Sequence, residues 1–73
     1  MNQLTKILAT LDKEGALDSK KISERGKIPL GTVRSYIAVM HQVGLVRRFK
    51  DMKGIFEITD KGKKNLKEQG SEP

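Results

Sequence analysis

The stretch Ile28-Pro29-Leu30-Gly31-Thr32-Val33-Arg34-Ser35-Tyr36-Ile37-Ala38-Val39-Met40-His41-Gln42-Val43-Gly44-Leu45-Val46-Arg47-Arg48-Phe49-Lys50 decides the fold of this chain. Proline suits the first turn of a helix, where its missing N–H has no partner to lose, and it keeps the preceding residue extended. A helix is therefore predicted over about 30–43, with Gly44 as its stop residue. At about 100° per residue, Val33, Tyr36, Ile37, Met40 and Val43 fall on one arc and face a core. The opposite arc collects Leu30, Gly31, Arg34, Ser35, Ala38, His41 and Gln42. After Gly44 the period changes from helical to alternating. Residues 45–50 and 55–58 then read as two strands, joined by the turn Asp51-Met52-Lys53-Gly54.

Working outward, Leu4, Ile7, Leu8 and Leu11 recur at helical spacing, which predicts a helix from about Asn2 to Glu14 that stops at Gly15. Asp18 and Ser19 offer N-cap side chains for a short helix that carries Ile22 inward and ends at Gly26. On the far side, Thr59 or Asp60 caps a last short helix whose one strong apolar anchor is Leu66, and residues 70–73 read as a flexible tail. The order is helix, helix, helix, strand, strand, helix: a mainly α fold with a small β-hairpin (α+β). Two helices joined by a short turn and followed at once by a hairpin outline a winged helix-turn-helix, here a single domain over 1–69.

With 73 residues, 36% hydrophobic, the chain is near the lower limit for a core of its own. Its aromatics are Tyr36, Phe49 and Phe56, so the core is expected to be aliphatic, with both phenylalanines internal. Such a core leaves little room for a substrate pocket. The sequence also lacks a phosphate-binding glycine loop, a nucleophile elbow and metal-ligand spacing, so neither an enzyme nor a cofactor is expected. The absence of cysteine excludes disulfides and thiolate metal sites and favours an intracellular setting. The first residues lack a signal-peptide pattern and no apolar run reaches membrane-spanning length, so a cytoplasmic protein without membrane contact is expected.

The net charge of +6 is segregated. From Arg25 to Lys50 the bases are Arg25, Lys27, Arg34, Arg47, Arg48 and Lys50, with no acid among them, while the remainder of the chain is balanced. A solvated basic face is one reading. An anionic partner is the other.

Three signatures carry a family resemblance. They are Gly31-Thr32-Val33-Arg34-Ser35-Tyr36-Ile37, then Val43-Gly44-Leu45-Val46-Arg47-Arg48, then Phe56-Glu57-Ile58-Thr59-Asp60-Lys61-Gly62. In this order the chain resembles winged-helix regulators of the MarR-like and ArsR-like kind across roughly residues 4 to 66. The resemblance implies a small transcription regulator that binds double-stranded DNA sequence-specifically. Helix 30–43 would lie in the major groove, and the wing at 50–54 would run along the phosphates or into the minor groove. Such regulators usually pair through longer terminal helices than this chain has, so a homodimer or a partner protein on DNA stays open. ArsR-like metal sites need cysteine or paired histidines, and His41 is the sole histidine, so metal sensing is not expected.

Within that frame Arg34 is the candidate for bidentate readout of guanine, its alternatives being a phosphate contact or an internal salt bridge. Gly31, Ser35 and Ala38 are small where a solvated helix favours Lys, Glu or Gln, which suits a partner that approaches the backbone closely; mere tolerance of exposure is the alternative. Leu30 flanks them. Thr32 and Ser35 offer hydroxyls to phosphates or bases, though Thr32 serves equally for early capping. Tyr36 packs its ring inward, with its hydroxyl either on the DNA backbone or buried and satisfied. His41 reads as a surface residue. Lys27, Arg47, Arg48, Lys50 and Lys53 supply phosphate contacts on the wing and its flank; Arg47 and Arg48 point to opposite strand faces, which favours Lys50 and Lys53. Lys61, Lys63, Lys64 and Lys67 read as a solvated face. The competing reading is a winged-helix module for protein contact, through Leu30 and Val39, or for structured RNA.

Overall fold

The first two helices of this chain start where a side-chain oxygen accepts from an otherwise unpaired first-turn N–H, and the third starts at a proline. In the computed structural model, which describes residues 2–70, the elements run α1 (Gln3–Glu14), β1 (Leu17–Asp18), α2 (Ser19–Gly26), α3 (Leu30–Gln42), β2 (Val46–Arg48), β3 (Ile55–Ile58) and α4 (Asp60–Gly70). Asn2 Oδ1 accepts from the Thr5 N–H at 2.8 Å and begins α1. Asp18 Oδ1 accepts from the Lys21 N–H at 2.8 Å and begins α2. Gly15, at φ 90°, closes α1 with an N–H bond to the Leu11 carbonyl. Of the tail expected at 70–73, Gly70 is the last residue of α4 and 71–73 lie outside the described residues.

The alternation read at 45–58 does form a hairpin, β2 against β3, in the register Val46↔Ile58, Arg47↔Glu57 and Arg48↔Phe56. The sheet has one strand more than expected. Leu17 and Asp18 pair antiparallel with Phe56 and Ile55, giving the order β1-β3-β2. Two residues are too few to show a period, and the pairing exists only because α1 returns the chain to the free edge of β3.

The core is aliphatic. Ile7, Leu8, Leu11, Ile22, Ile28, Val33, Ile37, Met40, Leu45 and Val46 are at most 6% exposed, and Tyr36, Phe56, Ile58 and Leu66 pack against them half-buried. Each such aliphatic burial contributes about 2 kcal/mol before conformational entropy is subtracted.

Three expectations are corrected. Val43 belongs to the inward arc of an ideal helix, but α3 ends at Gln42 and Val43 is 47% exposed, because the core beyond it is filled by Leu45 and Val46. Phe49 is half-buried and lies outside the core, under the Lys50 ammonium at 5.2 Å, because the hairpin has already left the helices behind. The second helix does end at Gly26, and Lys27 just beyond it takes the left-handed conformation (φ 54°). The wing turn begins earlier than 51–54. Met52 donates its N–H to the Phe49 carbonyl at 2.8 Å, with Lys50 and Asp51 both at positive φ, the hand that matches hairpin twist.

Candidate nucleic-acid interface

Helix α3 is held at its start by a locked turn. The Ile28 N–H donates to the Ser23 carbonyl at 3.1 Å, the Ser23 hydroxyl donates back to the Ile28 carbonyl at 2.5 Å, and Ile28 is 3% exposed. These two bonds and the buried Ile28 side chain tie the end of α2 to the start of α3.

The first turn of α3 differs from the starts of α1 and α2. Its N-cap is Pro29, which makes no side-chain hydrogen bond, and the turn contains no acid. The first backbone bond is from the Val33 N–H to the Pro29 carbonyl at 3.0 Å, so the N–H groups of Leu30, Gly31 and Thr32 face outward at the positive end of the helix dipole. That arrangement suits a phosphate.

The outward arc is formed as expected. Gly31, Arg34, Ser35, Ala38, His41 and Gln42 are exposed, while Leu30, Thr32 and Tyr36 are half-buried. A Cβ added at Gly31 would meet nothing within 4 Å, so no contact within the chain requires glycine there. Arg34 makes no ion pair among the described residues, which removes the internal salt bridge from its alternatives. The Ser35 hydroxyl donates to the Gly31 carbonyl at 3.1 Å and keeps its lone pairs outward. The rear of α3 touches the wing through the edge of the His41 ring on Phe56, at 5.7 Å between centroids.

On the wing, the two arginines separate. Arg47 Nε binds Glu57 Oε2 at 2.8 Å across the hairpin; that hydrogen bond, then the carboxylate charge, raises the arginine pKa. Its guanidinium thus has a partner within the chain, which the strand register alone created. Arg48, Lys50 and Lys53 are exposed. Among the described residues the non-glycine positions with positive φ are Lys27, Lys50 and Asp51. A lysine in that conformation costs roughly 1 kcal/mol relative to glycine, and such strain collects where a side chain is needed for something besides folding. Lys27 and Lys50 stand at the two ends of the segment that holds α3.

Three features escaped the sequence reading. Lys61 is not a free solvated base: its ammonium donates to the Val43 carbonyl at 2.7 Å, at the end of α3. Thr59 bridges the same junction, a role visible in the sequence only as a capping residue. Leu4, Ser35, Tyr36 and Val39 line a shallow open groove between α1 and α3, with Val39 56% exposed. No group of acidic or histidine side chains among the described residues could hold a metal ion, and none of the described helices is long and apolar enough to cross a membrane.

The α2–α3 pair joined by a tight turn, the outward arc of α3 and the β2–β3 hairpin in a three-stranded sheet together define a winged helix-turn-helix. The chain superimposes on the PcaV transcriptional regulator from Streptomyces coelicolor, solved with its natural ligand, with a TM-score of 0.84 at 22% identity over 96% of this chain and 52% of that one. NadR in complex with 4-hydroxyphenylacetate gives a TM-score of 0.80 at 24% identity, over 96% and 52% of the respective chains. The YusO protein from Bacillus subtilis gives 0.76 at 29% identity, over 89% and 49%. These likenesses show the fold, a winged helix of the MarR-like kind. The chain spans about half the length of the solved chains it matches. No protein-family model matches the sequence, and the curated proteins give no significant match.

Proposed function

We propose that this chain binds double-stranded DNA sequence-specifically, as the DNA-contacting unit of a transcription regulator. The observation that carries the reading is the outward face of α3. It starts on unpaired N–H groups, has a glycine that no internal contact explains, and presents an unpaired Arg34 within an acid-free basic segment. Arg34 reads guanine from the major groove, and the first-turn N–H groups with Lys27 take phosphates on one flank. Lys50 and Lys53, with Arg48, take the backbone at the wing. Arg47, paired with Glu57, ranks below them. The likeness to a solved transcriptional regulator supports the same role.

A second reading, protein contact, is favoured by one observation: Val39 is exposed beside Leu4 and Tyr36, on the flank of α3 away from His41 and the wing. Mobility shifts with duplex DNA, single strands and RNA hairpins at two salt concentrations separate the readings. Tightest binding to duplex, weakening steeply with salt, is the expected result. Duplex binding no tighter than RNA binding would remove the regulator reading.

A further inference from the structure

We propose that Thr59 and Lys61 are positioning residues for DNA binding, which together set the angle between the recognition helix and the wing; the proposal rests on the DNA-binding reading above. Val43, Gly44 and Leu45 form the joint where α3 gives way to β2, and a helix end leaves carbonyls without intrahelical partners. The start of α4 takes all three. Lys61 Nζ donates to the Val43 carbonyl at 2.7 Å. Thr59 Oγ1 lies 2.6 Å from the Gly44 carbonyl and 3.0 Å from that of Leu45, sharing its one proton between them, while the Thr59 N–H donates to the Leu45 carbonyl at 3.1 Å. The same hydroxyl accepts from the Gly62 N–H at 3.0 Å, so a single side chain both starts α4 and ties it to the joint.

The fit is close. Gly62 is buried, and a Cβ there would run into the Leu45 carbonyl and lie 2.7 Å from Ile58 Cγ1. The Lys61 ammonium also places positive charge at the C-terminal end of α3, where the helix dipole favours it. Gly44 itself is in the left-handed region, at φ 86°, a conformation that supplies the bend but no rigidity of its own. Helix and wing must meet one duplex at the same time. Loosening the joint therefore leaves α3 in the groove while the wing tip, which carries Lys53, loses its phosphate.

The test counts phosphate contacts through the salt dependence of binding to a mixed-sequence duplex. Thr59→Val, checked for folding by circular dichroism, is expected to bind about five- to tenfold more weakly and to lower the salt slope by about one, with Thr59→Ser restoring both. Lys61→Met is expected to do the same, and adding Lys53→Ala to it should cost nothing more, because both changes remove one wing contact. Additive losses would show that Lys61 does not act through the Lys53 contact and would overturn the proposal. So would a folded Thr59→Val protein with an unchanged slope. If Thr59→Val does not fold, the exposed Lys61 decides the matter through the same cycle. Failure of the unaltered chain to shift any duplex sinks the DNA reading, and this proposal with it.

Discussion

The first turns of α3 and α4 each contain a glycine, and the two are opposites. Around Gly62 everything is used: the residue is buried, its N–H goes to Thr59, and the Leu45 carbonyl occupies the space a side chain would need. Around Gly31 the space a side chain would need stays open: the residue is exposed, its helix start lacks a capping side chain, and a Cβ would meet nothing within 4 Å. The chain itself explains why α4 has a glycine. It does not explain why α3 has one, and a helix gains from replacing glycine where space allows. On the proposed reading, what shapes the start of α3 is a duplex that must approach its backbone, and the acid-free basic segment around it suits that anionic partner.

The comparison breaks most readily at Gly62. Gly62→Ala is expected to destabilise the fold by about 3 kcal/mol in chemical denaturation, since the obstacle is backbone and cannot swing aside. A loss below about 0.5 kcal/mol would mean that α4 can back away at little cost. Next comes Arg34→Ala, which should weaken binding to a selected site by roughly 1–3 kcal/mol while leaving mixed-sequence duplexes almost untouched. Equal losses on both would make Arg34 a phosphate contact and leave the outward face without a base reader. Lys53→Ala is a smaller change: all duplexes weaken alike and the salt slope falls by about one. An unchanged slope would show that the wing tip stays clear of the backbone.

Much of this molecule was legible because its elements are local. Asn2, Gly15, Asp18 and Pro29 mark helix ends through contacts within a few residues, and the aliphatic stripe of α1 needs no partner to be recognised. The outward arc of α3 followed from helical geometry for the same reason. What stayed hidden depends on contacts between segments distant in sequence. β1 exists only as an edge for β3, Arg47 is taken by Glu57 through strand register, and Lys61 reaches back to Val43 across the whole wing. Val43 was misplaced because periodicity continues past the point where the helix stops. Lys27 and Lys50 take left-handed positions that residue type alone would assign to glycine, so their strain is visible only in the backbone.

The central claim, that the outward face of α3 is kept bare for DNA, is tested most directly at its own glycine. Gly31→Ala is expected to raise stability slightly, by about 0.5 kcal/mol or about 2–4 °C in the unfolding midpoint. Measured on the same protein, duplex affinity should fall by about tenfold or more, because the added methyl group stands where the duplex must approach the backbone. A variant that is more stable and binds DNA as tightly as before would contradict the account.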